Sequence, residues 1–282
     1  MDLFYSKGKN FGDDLNEWLW SALFERPLED ISDSETMLIG VGTILNERIP
    51  SLPKKKIVFG SGYGYGNLPQ INKNWNFICV RGPLTAKAIG LDNNVAICDS
   101  AILVKEVLDL NLSGKSKGTI FIPHHSTVDV ENWQPICNEV GIEYVNPKED
   151  SKKVISKIAS SELVITEAMH GAIIADTYRV PWIPVRTRKL INKFKWDDWT
   201  ASLDISYEFN WLPPIWNKNC QQHFRFKNLK REAGKITSKI AVSRLRNILK
   251  NSRCYMSKPS KYNTVYESML EKFNELKIFA SM

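Results

Sequence analysis

One histidine in this chain stands where a chemically competent base would be placed. The apolar run Leu163-Val164-Ile165 gives way to Thr166-Glu167-Ala168-Met169-His170-Gly171-Ala172, and a helical pattern follows. Thr166 is a good N-cap, so residues 167–170 are expected to form the first helical turn. The positive end of a helix favours a neutral imidazole, the form that can accept a proton. Gly171 and Ala172 are small and are expected to leave room beside the ring. The alternative is a histidine that merely packs on its helix. Strand-to-helix junctions of this kind hold the ligands of open α/β sheets, which makes His170 the catalytic candidate and Glu167 a substrate contact.

Other loops carry matching chemistry. Gly8 to Asp14 joins a first strand to a first helix, and Gly12, Asp13 and Asp14 lie at a helix start with free N–H groups for an anion. The spacing is neither Walker A nor a dinucleotide fingerprint. Gly60, Gly62, Gly64 and Gly66 alternate after another strand, exposing amides, while Tyr63 and Tyr65 between them offer rings and hydroxyls to a sugar. Residues 40–43 form a companion glycine loop. Arg81, the second catalytic candidate, stands at a strand end before Gly82-Pro83, where its forked guanidinium suits a carboxylate or phosphate; a salt bridge is the other use of such a residue. His124 and His125 follow the first strand of the second half and are read as hydrogen-bonding or phosphate contacts. No third ligand accompanies them, so no metal is expected. Arg186 and Arg188 are further anion contacts.

These loops need strands and helices to hold them, and the pattern supplies both. Strand-like runs at 2–5, 37–39, 57–59, 76–80 and 95–98 alternate with helices at 13–24 and 83–89. After a hydrophilic break at 111–118 the alternation restarts. Strands at 119–122, 142–145, 163–165 and 182–185 then alternate with helices at 131–140, 151–160 and 167–179. Short apolar strands between helices imply parallel sheets. The expected fold is α/β, with two Rossmann-like domains at 1–110 and 118–190 facing a cleft. A Trp-rich and basic helical extension at 191–282 follows, ending in an apolar stripe from Tyr262 to Leu276.

With 282 residues, 43% of them hydrophobic, the chain is long enough for two packed domains. Five scattered cysteines without a CxxC pair fit a reducing compartment. No apolar run is long enough to span a membrane and no signal pattern opens the chain, so a cytoplasmic place is expected. Twelve Lys and Arg against the single acid Glu232 lie between residues 223 and 261, more than the whole chain's excess of +7. The remainder is therefore mildly acidic, and nucleic acid is not an expected partner. Within the basic segment, residues 229–249 combine an apolar stripe with cations, as interfacial helices do. Peripheral contact with an anionic membrane is the expectation there.

Together, Asn10-Phe11-Gly12-Asp13-Asp14, Gly40-Val41-Gly42, Gly60-Ser61-Gly62, Arg81-Gly82-Pro83, Asp99-Ser100-Ala101, Pro123-His124-His125 and Glu167 to Ala172 resemble the polysaccharide pyruvyl transferase family. They resemble especially the ketal-forming enzymes of succinoglycan-type exopolysaccharide synthesis. The resemblance implies a fold like that of GT-B glycosyltransferases, phosphoenolpyruvate as donor, and no cofactor. The acceptor it implies is a sugar or lipid-linked oligosaccharide, met at the inner face of the plasma membrane. The family often carries an arginine two residues before its histidine, where this chain has Ala168; Arg81, Arg186 or Arg188 would then supply the cation. Two other classes share these features: a nucleotide-sugar glycosyltransferase and a catalytically degenerate membrane-associated scaffold.

Overall fold

Runs rich in β-branched and aromatic residues become short strands, and each feeds a loop or helix that returns over the sheet, so every strand pair is parallel. A computed structural model describes residues 1–31, 35–110, 118–188, 191–215 and 227–281 of the chain. In the helix Lys227–Asn251, side chains are described from residue 236 onward. The expected break at 111–118 and Trp216 lie outside the described residues, apart from Gly118. The chain is a mixed α/β protein that divides into two units.

The first unit comprises Met1–Leu110, Asn192–Ser206 and Ser257–Met282. Its sheet contains β1 (Asp2–Phe4), β2 (Thr36–Ile39), β3 (Lys55–Ser61) and β4 (Trp75–Val80), in that spatial order. Parallel pairing puts the carboxyl ends of all four strands on one edge, so residues 5–14, 40–46, 61–67 and 81–83 form one group of loops. Met37, Ile39, Val58 and Val80 are buried together with Ile44, Leu45 and Ala86. The helix Pro259–Ser281 buries Tyr262, Val265, Met269, Phe273 and Leu276. Phe273 meets Phe24 and Phe59 edge-on, at 5.2 and 6.0 Å between ring centroids.

The second unit comprises Asn111–Ile191 and Tyr207–Met256. Its strands are β5 (Thr119–Ile122), β6 (Glu143–Tyr144), β7 (Leu163–Thr166), β8 (Trp182–Arg186) and β9 (Asn210–Trp211), in the order β6-β5-β7-β8-β9. The register aligns Ile122 with Thr166 and Thr166 with Pro184. The loops after β5, β7 and β8 therefore leave the sheet side by side. The helix Met169–Thr177 is buried along its whole length, as a helix with no polar face must be.

Several expectations change. Residues 191–282 do not form a separate extension, because both units take segments from them. Residues 95–98 make one isolated bridge, Ala96 to Val80, in place of a strand. A 3-10 turn, Asn93–Val95, precedes them, and Asp99 caps the next turn at Ala101, which cuts the ladder short. The helix at 13–24 splits into a 3-10 turn, Asp14–Glu17, and a helix, Leu19–Phe24. That at 131–140 starts only at Gln134.

The later turns of the helix Lys227–Asn251 bury an apolar face. Ala241, Val242, Leu245 and Ile248 are buried against Phe121, Trp133, Ile136 and Cys137. Among the described side chains this leaves Ile236 and Ile240 exposed, at 60% and 46%. Of the residues read as an interfacial stripe, Leu245 and Ile248 are core, while Ile236 and Ile240 face outward. No helix among the described residues is long and apolar enough to cross a membrane.

Candidate functional site

In the first unit, Asn16 fixes the loop after β2. Its side chain accepts from the Val41 amide and donates to the Val41 carbonyl, both at 2.9 Å. A Cβ on Gly40 would strike Asn16 and Trp20, so only glycine fits there. Gly42 has φ +130° and lies beside the Asp13 carboxylate, whose other oxygen accepts from Asn10 Nδ2 at 2.8 Å. Asp14 accepts from the Asn10 amide at 3.2 Å. Burial, with Glu17 and Asp13 nearby, pushes its carboxyl up to about 6. Gly12 is buried in the same turn.

Arg81 lies fully buried at the end of β4. Its Nε donates to Asp198 at 2.9 Å, Nη1 to the Thr43 hydroxyl at 2.6 Å and Nη2 to the Tyr63 carbonyl at 2.8 Å. The backbone of Gly62 lies against the guanidinium, and a Cβ there would collide with it. Asp198 also accepts from the Thr85 amide at 2.8 Å and the Thr85 hydroxyl at 2.5 Å. The sequence pointed to Arg81 as an anion contact. Its charge is instead met by Asp198, and its fork ties the loops after β2 and β3 to the helix Lys193–Ser202.

Tyr63 is similarly committed. Its hydroxyl donates to the Gly66 carbonyl at 2.8 Å, and its ring meets Phe194 edge-on at 5.9 Å. Tyr65, 42% exposed, is the ring left open. Over it, 5.8 Å from its centroid, lies the ammonium of Lys195. Desolvation, followed by the nearby Arg81, lowers Lys195 to about 8, with Asp13 acting the other way. Neither Lys195 nor Asp198 was singled out from the sequence. The signal was charge placed among the aromatics of Lys193 to Trp199, in a helix with no clean apolar face.

In the second unit, Thr166 ends β7, and the helix begins only at Met169, with Ala168 as its N-cap. Thr166 therefore does not cap as expected; its hydroxyl accepts from the Ala168 amide at 2.9 Å. Gly171 is pressed against the end of β7, since a Cβ there would sit 2.5 Å from Thr166 Oγ1. Its missing side chain lets the helix pack onto the strand. His170 is the second residue of that helix and only 7% exposed.

Glu167 is fully buried and accepts from the Thr187 amide at 2.6 Å and the His124 amide at 3.1 Å. Desolvation raises its carboxyl, opposed by hydrogen bonds from Thr187, His124 and Thr127. It staples the loops after β5 and β8 to the end of β7, a strut where a substrate contact was expected. His124 caps the short helix His125–Val128 through Ser126, and the His124 and His125 rings lie 4.2 Å apart.

Arg188 donates from Nε to Glu131 at 2.9 Å and keeps a third of its side chain exposed. Glu131, not anticipated from the sequence, also accepts from Trp133 Nε1 and the Ile215 amide. Arg186 spreads over the Phe209 ring at 5.7 Å, and its Nε is buried with no hydrogen-bond partner among the described residues. One edge of this sheet thus gathers His124, His125, Glu167, His170, Arg186 and Arg188. Gly12, Asp13, Asp14, Gly62, Tyr63 and Arg81 gather in the first unit. Among the described residues no three His, Cys, Asp or Glu side chains are grouped to hold a metal.

Comparison with known proteins bears on this arrangement. The family model of polysaccharide pyruvyl transferase matches residues 10–188, more than half of the chain. Over 210 residues the chain is 42% identical to the succinoglycan biosynthesis protein ExoV of Rhizobium meliloti (strain 1021). That overlap takes in 74% of this chain and 66% of the relative, so the match spans just under two thirds of the relative's length. No solved structure matches.

Proposed function

The chain belongs to the polysaccharide pyruvyl transferase family, and from that premise we propose that it moves the pyruvyl group of phosphoenolpyruvate onto sugar hydroxyls of an exopolysaccharide repeat unit, closing a pyruvate ketal. The observation that carries this reading is the sheet edge in the second unit, whose adjacent loops and helix start carry His170, His124, His125 and Arg186, all inside the matched span. The relative's role in succinoglycan biosynthesis supports an acceptor of that class. A GT-B-like assembly is part of the proposal, supported by two all-parallel sheets carried on one chain.

The chemistry balances with the groups available. A proton is added to the methylene carbon of phosphoenolpyruvate while one sugar hydroxyl bonds to C2 and gives up its own proton. The C2–O bond to phosphate then breaks, phosphate leaves, and a second hydroxyl closes the ketal with loss of its proton. His170 takes the hydroxyl proton, since a neutral imidazole is the side chain suited to shuttle protons near pH 7. Arg186 answers the charge of the donor. A lipid-linked acceptor would bring the protein to the membrane, where Ile236 and Ile240 are the exposed apolar residues that the helix Lys227–Asn251 offers among its described side chains.

Labelled phosphoenolpyruvate incubated with lipid-linked oligosaccharide tests the reading. The expected result is labelled, acid-labile product with release of one phosphate per ketal. Transfer from a nucleotide sugar instead, or none from either donor, would overturn it. His170→Ala is expected to lower turnover about 100-fold or more with the fold intact, and His170→Asn should do no better, because an amide cannot shuttle protons.

A further inference from the structure

Lys195 is 8% exposed, yet its ammonium has no hydrogen bond and no ion pair among the described residues. The charged groups facing it come from three elements. Arg81 stands at the end of β4, but its charge is already answered by Asp198, on the same helix as Lys195. Asp13, before the turn Asp14–Glu17, attracts the ammonium while accepting from Asn10. Tyr65, from the glycine loop, lies beneath the ammonium, its hydroxyl raised by desolvation.

Gly64 is tucked between Thr43 and the start of the helix, against Lys195 Cβ, and Asn192 donates to its carbonyl. The Gly64 amide has no protein acceptor among the described residues. A buried cation is costly unless something answers it. Here two donors without a protein acceptor among the described residues, the ammonium and the Gly64 amide, belong to neighbouring residues beside the exposed Tyr65 ring.

We propose that Lys195 is an oxyanion-binding residue of the first unit, with the Gly64 amide as its second hydrogen-bond donor and Tyr65 as its wall. This deepens the proposed function and rests on that reading for the identity of its anion, phosphoenolpyruvate. A carboxylate and a phosphate share the chemistry required, so pyruvate and inorganic phosphate serve as separate probes of which end is held. Binding an anion gives Lys195 a counter-charge in place of the hydration that burial removes. Affinity should therefore be greatest while the ammonium is charged and should fall as pH rises past about 8.

Calorimetric titration of the full chain with phosphoenolpyruvate, phosphate and pyruvate tests this. Lys195→Met is expected to weaken phosphoenolpyruvate binding about tenfold or more at pH 7, the scale of one lost charge-assisted hydrogen bond. Lys195→Arg should recover part of that loss. The decline of wild-type affinity above pH 8 should be absent from Lys195→Met. In the unaltered protein, isotope-labelled lysine spectra should show Lys195 titrating at higher pH once phosphate is bound.

Lys195→Met binding phosphoenolpyruvate as the wild type does, or an unmoved lysine titration, overturns the inference and leaves the donor reading intact. Lys195-dependent binding of phosphate without binding of phosphoenolpyruvate keeps the oxyanion site and removes the donor reading. Failure of the wild type to bind any of the three probes overturns both.

Discussion

Arg81 and Lys195 are two buried cations in one unit with opposite fates. Arg81 is matched by Asp198 and by two further acceptors, the Thr43 hydroxyl and the Tyr63 carbonyl. Removing one member of such a pair leaves a bare buried charge, at a cost of about 3–5 kcal/mol. Asp198→Ala is therefore expected to lower unfolding stability by that order, read from denaturant midpoints. Arg81→Met with Asp198→Leu should recover much of the loss; a double variant no better than the single would contradict a compensated pair. Lys195 has no such partner. Its folded pKa lies near 8, against 10.5 unfolded. Below pH 8 both states carry the proton and the fold bears the whole burial cost. From pH 8 to 10.5 the fold sheds a proton that the unfolded chain keeps, so stability rises with pH across that window. Lys195→Met should abolish the rise and add on the order of 3 kcal/mol at neutral pH; an unchanged pH profile would count against it. The sequence showed that Arg81 ends a strand. It could not show a partner 117 residues away, because ion pairing across that separation leaves no local pattern.

Elements were legible where burial is uniform. β2, β3, β5, β7 and β8 read directly as apolar runs bounded by turns, since parallel strands are covered on both faces. The helix Lys193–Ser202 was not legible as a helix, because Lys195 and Asp198 are buried alongside Trp196 and Trp199 and no polar face develops. At residues 229–249 the apolar stripe was visible, but the surface it covers was not. Periodicity marks a buried face without saying whether protein or lipid buries it. Two substitutions on the helix Lys227–Asn251 separate these uses. Leu245→Ala, in the core of the second unit, should cost about 2–5 kcal/mol. Ile240→Ser should stay within about 0.5 kcal/mol while weakening binding to vesicles containing anionic lipid. Full vesicle binding in Ile240→Ser would remove this face from any membrane contact.

At the scale of the whole molecule, the chain visits its first unit three times: at the start, through Asn192–Ser206, and again through Ser257–Met282. The alternating pattern made both sheets legible, but sequence alone assigns late segments to no particular sheet, and the extension expected at 191–282 is shared out. The consequence is that the first sheet depends on the last helix for its cover. Phe273 fills the space against Phe24 and Phe59, and Met269 lies 4.0 Å from the Cys79 sulfur. Phe273→Ala should therefore cost about 3–5 kcal/mol, the range for emptying a large buried aromatic site. A chain ending at Met256 should lose more, because the whole buried stripe from Tyr262 to Leu276 goes with it. Amide hydrogen exchange reads where the loss falls. Protection is expected to collapse across β3 and β4 and to survive across β5, β7 and β8, whose cover comes from their own unit. Retained protection in β3 and β4 of the shortened chain would show that the first unit's core closes without the helix Pro259–Ser281.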